Sequence, residues 1–196
     1  MYTIVGLGNP GEEYMDTHHN AGRDIVTAFA KKVDADFQFD KKSNAQVSSA
    51  EIDKTKAKLI LPDTFMNKSG SAVAYFIKNP KQAKSLVVVH DDLDLPLGTL
   101  RFVYNRGSGG HKGVESVKRA VKTEEFIRLR VGISKESRGR AKKPSGEDAV
   151  VDFVLKKWSK GESEEFKKVK KRAVLALEVL LEDDLQKATM ETNTRK

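Results

Sequence analysis

The run Leu86-Val87-Val88-Val89 constrains the architecture more than any other segment, because four consecutive apolar, mostly β-branched residues leave neither face of a strand fit for water. Such a strand belongs in the middle of a sheet covered by helices on both sides. Other strand-like runs lie at 2 to 6, 45 to 52, 57 to 61, 99 to 103 and 127 to 133, with the Val-rich strand at 85 to 90; all are short and bounded by turn residues. Helical periodicity falls between several of them. Ala21, Ile25, Val26, Phe29, Ala30 and Val33 share one face, Val73, Phe76 and Ile77 a second within 68 to 78, and Val114, Val117 and Val121 a third within 111 to 122. A last helix over about 162 to 185 buries Phe166, Val169, Ala173, Leu177, Leu180 and Leu181, and Ser159 with Glu162 has the spacing of a capping box at its start.

These patterns predict an α/β fold, a single-domain sandwich with a central mixed sheet flanked by helices, in which 45 to 52 and 57 to 61 form an antiparallel hairpin. A length of 196 residues suits one domain, expected over 1 to 186, with a disordered tail over 187 to 196. The chain has no cysteine, which excludes disulfides, thiolate catalysis and zinc-cysteine sites. Without a leader-like N-terminus or an apolar run of roughly 20 residues it is expected to be soluble and cytoplasmic, with no membrane partner. Lys and Arg number 36 against 28 Asp and Glu, a net charge of +8 that favours a polyanionic partner. Lys135, Arg138, Arg140, Lys142 and Lys143 crowd one loop around 135 to 146, whose glycine, proline and clustered charge suit a mobile segment without assigning it as a lid, and Arg101, Arg106, Lys112, Lys118, Arg119 and Lys122 flank a glycine turn.

Chemistry concentrates near the N-terminus. Gly6-Leu7-Gly8-Asn9-Pro10-Gly11 follows the first strand, and Thr17-His18-His19-Asn20-Ala21-Gly22 comes soon after. The glycines match a dinucleotide fingerprint, but there the helix starts inside the glycine turn. Here Pro10 and Gly11 interrupt, and the helical period begins only near residue 20. The segments expected to converge at the carboxyl ends of the strands carry Asn9, His19, Asn67 and the acidic run His90-Asp91-Asp92-Leu93-Asp94. An imidazole can take a proton from water, a carboxylate can orient it, and neutral amides can hold substrate carbonyls. No serine sits in G-x-S-x-G, so direct attack by water is favoured. His18, His19, His90 and His111 lack the spacing of a metal motif, so no metal and no cofactor are expected.

These motifs in this order resemble the bacterial peptidyl-tRNA hydrolase family. The resemblance runs over about residues 1 to 185 and is carried by the two N-terminal motifs, Tyr14, Pro62-Asp63-Thr64-Phe65-Met66-Asn67-Lys68-Ser69-Gly70, His90 to Gly98, Gly109-Gly110-His111-Lys112-Gly113, and Phe126 to Ile133. It implies a monomeric, cofactor-free esterase that cleaves the peptide from the 3′ ribose of tRNA. By position, His19 is the base, Asp91 its partner, Asn9 and Asn67 the residues that hold the peptide, Tyr14 and Phe65 the lining of the tRNA-end site, and Arg130 part of a basic clamp on phosphate. Spacing alone leaves Asp91 and Asp92 open. Two departures stand out: Lys112 replaces the family's usual Asn, leaving open whether its ammonium meets a phosphate or a developing oxyanion, and Val103 replaces a basic residue, leaving Arg101 or Arg106 as substitutes. The alternative is a non-catalytic RNA-binding scaffold of the same fold, like the plant organelle splicing factors that resemble the family.

Overall fold

The computed structural model describes residues 1 to 194. β1 (Tyr2–Gly6) leads through two single helical turns into α1 (Ala21–Lys32), then β2 (Gln38–Asp40), β3 (Ala45–Ile52), β4 (Thr55–Pro62), α2 (Ser69–Phe76) and the short α3 (Pro80–Ala83). β5 (Leu86–Pro96), β6 (Leu100–Tyr104), α4 (Lys112–Val121), β7 (Ile127–Ser137) and β8 (Arg140–Lys142) follow, and α5 (Glu147–Leu155), α6 (Lys160–Glu182) and α7 (Leu185–Thr194) end the described chain. The sheet order is β2-β3-β4-β1-β5-β7-β6, with β8 paired to β7. The inner strands β4, β1, β5 and β7 run parallel and the outer pairings are antiparallel, giving the expected mixed sheet.

Alternation along the strands fixes the layers. Ile4, Val87, Val89 and Leu129 meet α1 and α6 on one face, while Val5, Val88 and Ile60 meet Val73 of α2 and Val114 and Val117 of α4 on the other. The β3–β4 hairpin closes through Asp53 and Lys54, both at positive φ, as a two-residue turn matched to strand twist requires. The capping box at Ser159 and Glu162 is formed, and α6 begins at Lys160, directly after the Ser159 cap.

Two glycines of the first motif are packed against α1: a Cβ on Gly6 would lie 2.7 Å from the Gly22 carbonyl oxygen and one on Gly8 2.8 Å from the Arg23 Cβ. A Cβ on Gly22 would lie 2.1 Å from the Val89 carbonyl oxygen, so α1 crosses directly against the β5 backbone. That close approach carries His19 to the carboxyl end of β5.

Besides the short β2 and α3, which no sequence pattern announced, four elements differ from expectation. The chain end does not fray at 187: α7 runs to Thr194 and buries Ala188 completely, while Arg195 and Lys196 lie outside the described residues. The basic segment 135 to 146 is largely a two-stranded ribbon, β7 with β8, turning at Arg138 and Gly139. β5 runs on to Pro96, past its acidic residues, of which Asp91 and Asp92 are taken up by His19, His111 and Arg130. Finally, α5 is an unanticipated helix whose only buried residue is Val154.

Candidate active site

The carboxyl ends of β1, β4 and β5 open into a cleft of about 850 Å³, lined by Asn9, His19, Phe65, Asn67, Asp91 and His111 on the sheet side. α5 forms the facing wall with Val150, Val151, Val154 and Leu155. A crevice beyond the ends of parallel strands is where ligands collect in open α/β sheets.

Asp91 lies at the centre and is 2% exposed. Its Oδ1 accepts a hydrogen bond from His19 Nδ1 at 2.9 Å and another from His111 Nε2 at 2.9 Å. Burial alone would push the Asp91 carboxyl up, but the two imidazoles and their hydrogen bonds outweigh it and hold it well below the usual carboxylate range. With Nδ1–H given to Asp91, the His19 Nε2 carries the lone pair and makes no hydrogen bond among the described residues. Asp92, the rival that spacing left open, instead pairs with Arg130 Nε at 2.6 Å.

The tautomer of His111 is set by its backbone. Its Nδ1 accepts from the Gly113 and Val114 N–H groups at 3.1 and 3.2 Å, capping α4, so Nε2 must hold the proton it donates to Asp91. His19, Asp91 and His111 bring potential ligand atoms within 4.8 Å of one another, a grouping a metal would also need. An Nε2 that keeps its proton has no lone pair to give a cation, so the three fit a proton network better than a metal site.

Asn9 is equally constrained. Its N–H donates to Asn20 Oδ1 at 2.8 Å, Asn20 Nδ2 donates back to its carbonyl at 3.0 Å, and its own Oδ1 accepts the Met66 N–H at 2.8 Å. With the amide oxygen engaged, the Nδ2 donor is the end left for a ligand. Asn67 is exposed at the rim beside Phe65.

His18 and His90 are structural. His18 donates from Nδ1 to the Phe153 carbonyl at 2.9 Å and packs between the Phe153 and Trp158 rings; burial pushes its imidazole below the ordinary value. His90 is wholly buried and donates from Nδ1 to the Asp91 carbonyl, and burial, reinforced by His111 and Arg128, pushes it well below the ordinary value.

Comparison with known proteins places the chain. A family model described as peptidyl-tRNA hydrolase matches residues 3–196. The chain belongs to the peptidyl-tRNA hydrolase family. Among its relatives, a peptidyl-tRNA hydrolase of Herpetosiphon aurantiacus is 38% identical over 195 residues, covering 98% of this chain and 90% of that protein. One from Methylacidiphilum infernorum is 37% identical over 186 residues, 94% of each chain. The crystal structure of peptidyl-tRNA hydrolase from Acinetobacter baumannii superposes with a TM-score of 0.90 at 31% identity, covering all of this chain and 96% of that one. The fold is therefore that of the family, an ester hydrolase family that acts without metal.

Of the residues anticipated from sequence, the structure brings Asn9, His19, Phe65, Asn67, Asp91 and Lys112 to one cleft. Tyr14 stands just outside it, edge-on to Phe65 with ring centroids 6.4 Å apart. Arg130 is not in the lining: it lies on β7, paired to Asp92 and directly opposite Arg101 of β6. Sequence reasoning missed the hold of His111 on Asp91 and the α5 wall. The helical period within 111 to 122 put His111 at the start of a helix, but only the fold shows that its ring caps α4 and also reaches β5.

Among the described residues no helix is long and apolar enough to cross a membrane.

Proposed function

We propose that this chain, a cytoplasmic monomer, hydrolyses the ester joining a peptide's C-terminal carboxyl to the 3′ ribose of tRNA, with His19 as general base and Asp91 as its orienting carboxylate. The observation that carries the reading is the His19 Nδ1 to Asp91 Oδ1 bond of 2.9 Å, which presents a free Nε2 in a cleft shared with Asn9. In this mechanism Nε2 takes a proton from water as the oxygen attacks the ester carbonyl. The resulting imidazolium is stabilised by Asp91 and returns the proton to the departing ribose oxygen. The Asn9 Nδ2 donor suits a carbonyl oxygen of the peptide, and Asn67 serves the neighbouring amide. A substrate with a free α-ammonium would leave that charge poorly solvated beside such donors, so an N-blocked ester is the better fit.

For the nucleic acid, the exposed Phe65 with Tyr14 offers an aromatic surface for the terminal bases. Arg101 and Arg130, opposite one another across β6 and β7, support a phosphate clamp in which Arg101 takes the place left by Val103. Lys112 is assigned to the same substrate end. The test is release of N-acetylated amino acid from tRNA, against release from the unblocked aminoacyl-tRNA, before and after exhaustive chelation. Release from the blocked substrate only, unchanged by chelation, is expected. Binding of tRNA without release would instead fit a non-catalytic RNA scaffold.

A further inference from the structure

Lys112 is the first residue of α4 and directly follows His111, so its ammonium stands at the mouth of the cleft that holds His19 and Asp91. Its Nζ donates to Glu147 Oε1 at 2.9 Å, and Glu147 is the first residue of α5, the opposite wall. The pair therefore spans the opening. A second pair, Lys143 Nζ to Asp94 Oδ1 at 2.6 Å, spans the same opening. Lys112 and Glu147 are 58% and 78% exposed, so water and salt reach both and the contact exchanges readily.

The two partners are not equally suited to their places. Glu147 lies in the first turn of α5, where a negative charge agrees with the helix dipole, whereas Lys112 puts a positive charge at the positive end of α4. The lysine is thus the member that needs a counter-charge. The far end of α5 is tied down, with the Phe153 carbonyl bonded to His18 and, just past the helix, the Trp158 N–H to the Asp16 carbonyl, so α5 has anchors independent of Lys112.

We infer that Glu147 occupies the place of a substrate phosphate, and that Lys112 exchanges the Glu147 carboxylate for a phosphodiester near the 3′ end of tRNA when substrate binds. The inference rests on the peptidyl-tRNA reading and adds what Lys112 meets and what competes for it. A phosphodiester brings a permanent charge and an array of neighbouring phosphates, against which a single exposed carboxylate is the weaker partner. Glu147 thereby disfavours occupancy of the mouth by weak anions and yields to the polyanion.

The test measures the dissociation constant of deacylated tRNA, over a range of salt, for the wild type, Lys112→Met, Glu147→Gln and the double variant. Partner exchange predicts opposite signs: Glu147→Gln tightens binding and Lys112→Met weakens it, each by roughly two- to fivefold, the range open to exposed charge pairs. It also predicts that Lys112→Met lowers the slope of log affinity against log salt by roughly 0.7 to 0.9, the loss of one phosphate contact. The double variant should match Lys112→Met alone. Shifts of the same sign would make the pair a structural strap, and a Glu147→Gln gain that survives in the Lys112→Met background would make it a general charge effect; either overturns the exchange. An effect confined to substrates with an acidic peptide, absent with deacylated tRNA, would assign Lys112 to the peptide and overturn it as well. Binding of tRNA without hydrolysis by the wild type would sink the catalytic reading, while the four constants would still decide the exchange.

Discussion

At the scale of single residues the site turns on one oxygen, Asp91 Oδ1, which receives hydrogen bonds from the two imidazoles of His19 and His111. His111 cannot turn to other work, because its other nitrogen holds the first turn of α4. Asp91→Asn keeps the shape but removes the charge that stabilises the His19 imidazolium. A fall in kcat of about 10²- to 10⁴-fold, with KM moved far less, is expected from steady-state hydrolysis of an N-acetylated aminoacyl-tRNA. A proportional rise in KM at unchanged kcat would show that Asp91 serves binding instead. The side chains of this site were legible in the sequence as types, since Asn9, His19 and Asn67 sit in or beside glycine-rich motifs. The choice between Asp91 and Asp92 was not, because a strand sends neighbours to opposite faces and only tertiary partners, His19 for one and Arg130 for the other, separate them.

At the scale of elements, positioning depends on how closely α1 crosses β5. Gly22→Ala would set a methyl 2.1 Å from the Val89 carbonyl, which has no rotamer by which to give way. The helix must lift, and a loss of about 3 kcal/mol is expected from urea unfolding, with activity per folded molecule falling as His19 shifts. Full stability in the variant would mean that the crossing has slack. The central strand, the hairpin and the start of α6 were readable because local chemistry specifies them: a run apolar on both faces, paired strand patterns, and Ser159 three residues before Glu162. α5 was not, because its apolar residues cover a cleft instead of completing a core stripe, leaving Val154 alone buried. α7 was hidden in a polar composition, and packing of Ala188 against the body gives it its place.

At the scale of the whole molecule, buried ionisable groups set the response to pH with two signs. His18 and His90 have folded values below their unfolded value of about 6.5, so their share of stability is full above that pH and is lost as pH falls beneath it. Asp91 acts in the same direction but only below the unfolded carboxylate range. Asp24 has the opposite sign: burial raises its carboxyl to about 6, so the folded state bears a penalty above that pH which fades as pH falls toward the unfolded value. Asp24→Asn should therefore stabilise the protein by on the order of 2 kcal/mol at pH 8, by roughly half of that at pH 5 and by little at pH 3, and should steepen the acid-side loss of Tm. A gain independent of pH would show that the Asp24 carboxylate is not the cause. The net charge of +8, read from sequence as the mark of a polyanionic partner, is consistent with the family the chain belongs to. The most direct test of the whole account is the turnover of N-acetylated aminoacyl-tRNA by wild type and by His19→Ala at equal tRNA binding. The account predicts rapid release by the wild type and a loss of at least about 10²-fold in kcat in the variant; equal turnover by the two proteins would contradict it.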